Sequence, residues 1–210
     1  MPSNPNTSLV YIADPMCSWC WGFSPVMEAI LEKYHRLVSI EILVGGLRPG
    51  NTERFDESRR DYILEHWKAV HERTGQPFNF EFRMSPSFTY DTEPSSRAVV
   101  AVRSIRPDLA FPMFRDIQRT FYVDNRDVTQ ESVLAEIATA QGIEHDRFLT
   151  LFHDPEIKKQ VWNDFEHSRE LGITGFPSLL GKNGEAYISL THGYVPFTTL
   201  SPVIDDWIKK

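Results

Sequence analysis

Cysteine is nearly absent from this 210-residue sequence: there are two, Cys17 and Cys20. That scarcity argues against a framework of structural disulfides. It also argues against zinc, because there is no second Cys-x-x-Cys and the seven histidines show no closely spaced pair of the kind zinc motifs use. No apolar run reaches membrane-spanning length, and the N-terminal residues Met1 to Ser8 lack the charged start and apolar middle of a secretory signal, so the chain reads as cytoplasmic. Lys/Arg-rich runs are missing too. With a formal net charge of −7, neither nucleic acid nor an anionic membrane surface is expected as a partner. Internal repeats and low-complexity segments are likewise absent. At this length the chain can bury a substantial core as one domain, or as a domain carrying a large insertion.

What is present centres on Asp14-Pro15-Met16-Cys17-Ser18-Trp19-Cys20-Trp21. The apolar, β-branched run Ser8 to Ala13 has the length of a strand, and Phe23 to Tyr34 reads as helix, which puts Cys17 where a strand hands over to a helix. The first turn of a helix has unpaired N–H groups and the positive end of the helix dipole, and both favour thiolate over thiol. Cys17 is therefore the expected nucleophile. Cys20, three residues on and on the same helical face, can close a disulfide with it and is expected to be the more buried, resolving thiol. Pro25 inside the helix removes a backbone hydrogen bond and predicts a bend around residues 21 to 25.

Leu37 to Val44 predicts a second strand, with Val38, Ile40, Ile42 and Val44 on one face, completing a βαβ unit with parallel strands. From about residue 49 to 172 the pattern turns helical. Helices are expected over 51–74, ended by Gly75-Gln76-Pro77, over 95–105 after Glu93-Pro94, and over 109–123. The aromatic stripe of that third helix reads as core. A fourth helix is expected from an N-cap at Thr129 without the acidic partner of a full capping box. A short helix over 145–152 and a longer one entered through Asp154-Pro155 complete the block. Phe78 to Phe82 looks extended and 84–92 looks like loop. Strand signals return at Gly175 to Gly181 and Ala186 to Leu190, with Asn183-Gly184 marking a hairpin between them. An amphipathic helix over 196–210 closes the chain, with Lys209 and Lys210 in its last turn.

The expected fold class is therefore α/β: a small four-stranded domain formed by residues 1–48 and 173–210, interrupted by an all-helical insertion over 49–172. This arrangement resembles the thioredoxin-like fold, on Cys17-Ser18-Trp19-Cys20 at a helix start, Pro25 eight residues after the first cysteine, and Phe176-Pro177 before a hairpin. With the helical insertion, and with Gly172-Ile173-Thr174-Gly175-Phe176-Pro177-Ser178 beside the dithiol motif, the chain resembles the DsbA family and is similar to its cytosolic FrnE-like branch. The resemblance implies a cis bond before Pro177, packed against the Cys-x-x-Cys. It implies a thiol–disulfide oxidoreductase or isomerase with Cys17 and Cys20 as catalytic residues. Phe176, Pro177, Ser18 and Trp19 would contact a protein or small-molecule thiol or disulfide. No cofactor is implied beyond the redox-active disulfide, with glutathione as a possible co-substrate.

The chain also departs from the family. Thioredoxin has Gly-Pro between its cysteines and DsbA has Pro-His, whereas Ser18-Trp19 stands here, so one hydrogen-bond donor that steadies the thiolate in strong oxidants is missing. Phe176 is bulkier than the usual residue before the proline. Direction of electron flow, redox potential and oligomeric state are left open. Two alternatives remain. Kappa-class glutathione transferases and 2-hydroxychromene-2-carboxylate isomerases share the scaffold, but carry serine at the first nucleophile position. A non-enzymatic peptide-binding module would use exposed aromatics of the helical block, among Trp67, Phe78, Phe80, Phe82 and Phe88.

Overall fold

β1, Thr7–Ala13, is the strand on which the others assemble, and it is buried on both faces. Leu9, Tyr11 and Ala13 point into the main core, while Val10 and Ile12 meet Leu180 in a smaller cluster on the other face. A strand covered on both faces needs a continuous apolar run rather than strict alternation, which is what residues 9–13 supply. The computed structural model describes residues 7–209; the terminal residues 1–6 and Lys210, and the expectations that fall on them, lie outside the described residues.

Helix α1, Ser18–Tyr34, connects β1 to β2, Ser39–Val44, which pairs parallel to it with Leu9 opposite Ile40 and Ala13 opposite Val44. β2 starts two residues later than the sequence pattern suggests, since Leu37 and Val38 belong to the turn after α1. Six α-helices follow before the sheet resumes, with a single 3₁₀ turn at Pro107–Leu109 between the second and third: α2 (Glu57–Thr74), α3 (Glu93–Ile105), α4 (Ala110–Tyr122), α5 (Glu131–Ala140), α6 (His145–His153) and α7 (Pro155–Glu170). β3, Ser178–Asn183, then runs antiparallel to β1, β4, Ala186–His192, antiparallel to β3, and α8, Phe197–Ile208, ends the fold. The sheet order is β2-β1-β3-β4, a thioredoxin-like arrangement with an all-helical insertion between β2 and β3.

Pro25 shows how the helices are tied together. It has no N–H to offer the Trp21 carbonyl, and that carbonyl instead accepts a 2.9 Å bond from Gln76 Nε2, just beyond α2. The Trp21 indole N–H donates to Pro77 O at 2.9 Å, so the broken bond in α1 becomes an attachment for the end of α2. On the far side, Arg103 of α3 pairs with Asp164 of α7 at 2.8 Å and donates to Ile42 O, fixing both helices to β2.

Several local expectations are corrected. α2 begins at Glu57 rather than near Asn51, because the Asp56 carboxylate caps it by accepting from Arg59 N, and Arg54 is diverted into a bridge with Thr89. Residues 78–82 form no strand. The Phe82 N–H turns back to Asn79 O at 3.3 Å, and the spacing serves to bury Phe82 and half-bury Phe78 while Phe80 stays exposed. Thr129 caps nothing: its N–H and hydroxyl both go to Asp127, and Gln130 takes the N-cap position. The hairpin that Asn183-Gly184 marks is present: Asn183 pairs with Ala186, and Gly184, at φ 59°, and Glu185 are its two central residues. Lys209 follows the last turn of α8 instead of lying within it.

Candidate active site

The site is assembled from the β1–α1 junction outward. Asp14 is wholly buried, and its two carboxylate oxygens accept from Met16 N at 2.8 Å and Leu47 N at 2.7 Å, while its carbonyl accepts from Cys17 N at 3.1 Å. These bonds set the turn that delivers Cys17 to the N-cap of α1, at φ −90° and ψ 117°, with its carbonyl taking the first helical bond from Trp21 N. The Cys17 thiol makes no capping bond of its own, so the positive end of the helix faces a sulfur. Burial raises the Asp14 carboxyl to about 6, against the pull of its bonds from Leu47 and Met16.

Both cysteines are free thiols. Cys17 retains 6% exposure and Cys20 none, the order expected of an attacking and a resolving thiol. Burial pushes the Cys20 thiol up, and its contact with Cys17 adds to the effect. The Cys17 sulfur lies 3.7 Å from the carbonyl oxygen of Phe176, 159 residues away. The Phe176–Pro177 peptide is cis, as the family resemblance implied. Gly45, at the end of β2, is what accommodates the phenylalanine: a Cβ there would stand 2.1 Å from the Phe176 ring.

Three tyrosines lie beneath the dithiol. Tyr90 donates from its hydroxyl to Met16 O at 2.6 Å, whereas the buried hydroxyls of Tyr11 and Tyr122 have no protein partner. Burial holds all three phenols well above their ordinary acidity range. On the outer side, Trp19 packs at 6.2 Å on Tyr194, over which Arg73 also sits at 5.8 Å. Trp19, Arg73, Phe176, Gly193 and Tyr194 line an open depression of about 350 Å³.

The structure thus brings Cys17, Cys20, Trp19, Phe176 and Pro177 to one place, with Ser18 half-buried beside the first thiol. Sequence reasoning missed Arg73, Tyr194, Tyr11 and the part played by Asp14. Asp14-Pro15 directly before the motif was a readable turn signal, but nothing local tied Arg73, in the last turn of α2, to a cysteine on α1. Of the aromatics assigned to peptide binding, Trp67, Phe82 and Phe88 are core residues, Phe78 is half-buried, and Phe80 alone is exposed. Among the described residues no cluster of His, Cys, Asp and Glu could hold a metal, and no helix is long and apolar enough to cross a membrane.

A four-stranded sheet with a Cys-x-x-Cys at the start of its first helix, facing a cis-proline loop, defines a thioredoxin-fold protein. Residues 9–204 match the model of the DSBA-like thioredoxin domain, and the chain belongs to that family. It is similar to a putative protein disulfide isomerase from Nitrosomonas europaea, at 41% identity over 97% of this chain and 98% of that one, with a TM-score of 0.91. It shares the fold of the cytosolic disulfide reductase DsbM from Pseudomonas aeruginosa, at 23% identity, 96% and 98% coverage and a TM-score of 0.80, a protein also solved with GSH. Among curated relatives it is 22% identical to the ClpXP adapter protein SpxH of Shouchella clausii over 99% of this chain, spanning 69% of that protein's length.

Proposed function

We propose that this chain is a thiol–disulfide oxidoreductase in which Cys17 attacks and Cys20 resolves. The observation that carries the reading is the Cys17 sulfur at the N-cap of α1, 3.7 Å from the Phe176 carbonyl, with Cys20 fully buried one turn behind it. The Cys17 thiolate attacks one sulfur of a substrate disulfide, and the other substrate sulfur leaves as a thiolate. Cys20, once deprotonated, attacks the Cys17 sulfur, and the second substrate thiolate leaves as the Cys17–Cys20 disulfide forms. The substrate gains two electrons and the dithiol loses them. Run backwards, the same steps oxidise a substrate dithiol.

Phe176, Pro177, Trp19 and Ser18 form the surface a substrate meets, and the Phe176 backbone offers an extended segment a short β-type contact. The GSH form of the Pseudomonas aeruginosa relative supports glutathione as a co-substrate, and its cytosolic setting supports a reducing compartment here. The test is disulfide exchange with a model substrate. Cys17→Ser is expected to abolish it and Cys20→Ser to accumulate the mixed disulfide; wild-type exchange in the Cys17→Ser variant would remove the reading. Conjugation of glutathione that survives Cys20→Ser would favour a kappa-type transferase instead.

The adapter relatives favour a second reading, a module that docks a protein partner through the same fold. It predicts that partner binding persists when both cysteines are replaced by serine.

A further inference from the structure

Arg73 stands in the last turn of α2, and two sets of contacts fix that turn beside the dithiol. The helices α1 and α2 approach closely at Gly22, where a Cβ would stand 2.8 Å from Val70 and 2.9 Å from Thr74. Just beyond the helix end, Gln76 and Pro77 are each tied to Trp21 by a 2.9 Å bond. The start of α1 and the end of α2 are thus held together as one surface, with Cys17 on the first and Arg73 on the second.

The Arg73 guanidinium lies over the Tyr194 ring at 5.8 Å, and Trp19 packs on the same ring at 6.2 Å. Contact through the guanidinium face leaves its in-plane N–H groups free to donate outward. Among the described residues Arg73 has no carboxylate partner, whereas Arg97 and Arg103 are committed to Glu93 and Asp164. Arg73 is also the one charged residue lining the depression that Trp19, Phe176, Gly193 and Tyr194 complete. That depression adjoins the reacting sulfur through Phe176, whose carbonyl oxygen lies 3.7 Å from Cys17 Sγ. Its volume of about 350 Å³ falls at the lower end of the roughly 300–1,000 Å³ common to small-molecule sites. Aromatic walls with a single free cation suit a small peptide-like body that carries a carboxylate. With a net charge of −7 the chain as a whole repels anions, so attraction of a carboxylate to this place has to be local.

We propose that Arg73 is the specificity residue of the site: it receives a carboxylate of a small, peptide-sized disulfide or thiol and so holds the substrate sulfur on the Cys17 side of the depression. The proposal rests on the oxidoreductase reading and names the substrate class for it. The carboxylate accepts two N–H bonds from the guanidinium fork, while the rest of the substrate lies on Trp19 and Phe176. A disulfide without a carboxylate keeps the apolar contact and loses the fork.

Oxidised glutathione and its full ethyl ester, in which every carboxylate is neutral, test this on the intact chain. The readout is the ratio of kcat/KM for the acid to kcat/KM for the ester. Arg73 is exposed, and the ratio is taken within each variant, so a change in folded fraction cancels. The wild type is expected to prefer the acid by about tenfold, through KM, and added salt should erode the preference. Arg73→Met should bring the ratio near one, Arg73→Lys should restore part of it, and Arg73→Glu should reverse it. A ratio near one in the wild type, or a preference that survives Arg73→Met, would overturn the proposal. Failure of the wild type to exchange with either disulfide would instead remove the oxidoreductase reading, and the proposal with it.

Discussion

Two neighbouring regions of this molecule are packed by different rules. Under α2, Trp67, Phe82 and Phe121 meet edge to face at 4.7, 5.4 and 5.9 Å, with Phe88 beside them, and all four are buried. Under the start of α1, burial is as complete, but it encloses the Asp14 carboxyl, the Cys20 thiol, and the hydroxyls of Tyr11, Tyr90 and Tyr122. Tyr122 joins the two: its ring packs at 5.0 Å on Trp67, while its hydroxyl faces the thiols. Aromatic rings in contact stabilise a fold through area and ring geometry. Buried titratable groups oppose stability unless fully paired, and their concentration at one helix start marks the place where chemistry outweighs packing.

Three substitutions break or sharpen that contrast. The largest effect belongs to the aromatic cluster: Trp67→Ala is expected to cost about 3–5 kcal/mol in chemical denaturation, with disulfide exchange per folded molecule unchanged. If exchange falls as steeply as stability, the two regions are one cooperative site and the contrast is lost. The next concerns Asp14, whose folded carboxyl titrates at about 6 against an ordinary 3.8. A raised folded value means the burial penalty is absent below 3.8 and fully present above about 6, so the wild-type chain loses stability as pH rises through that window. Relative to Asp14→Asn, which has nothing to ionise, the loss is about 3 kcal/mol at ~1.4 kcal/mol per pKa unit. Unfolding free energies of both proteins below 3.8 and at neutral pH would show it, and a pH-independent difference would contradict it. The smallest effect is that of Gly45→Ala, where the new methyl group overlaps the Phe176 ring. Overpacking of this kind costs about 1–3 kcal/mol. It should also move the Phe176 carbonyl from Cys17, so the alkylation rate of Cys17 is expected to change while that of a surface thiol introduced elsewhere does not.

Legibility in the sequence followed the range of the interaction. The strand before Cys17, the helix after it, the parallel β2, and the Asp154-Pro155 helix start all follow from side-chain periodicity or turn chemistry within a few residues. Where a local rule failed, another local bond had displaced it. Asp127 took both Thr129 donors, and Asp56 claimed the start of α2. Phe78 to Phe82 shows the other kind of miss. Its alternation was real but served a turn that feeds rings into the aromatic cluster, a choice made by Trp67 and Tyr122 from distant parts of the chain.

By itself the sequence determined the dithiol, its position at a helix start, and which thiol would be the more buried, because spacing and helix geometry are properties of a few consecutive residues. The family resemblance supplied the proline partner. Only the tertiary structure decided what surrounds the sulfurs. It set the Phe176 carbonyl 3.7 Å from Cys17, made room for that ring at Gly45, stacked Arg73 over Tyr194, and buried the Tyr11 hydroxyl and the Gln118 amide without a protein partner. Those neighbours come from β1, β2, α2, α4 and the loops around β3 and β4, and no periodicity within one segment can specify a contact whose partners meet only when the core closes.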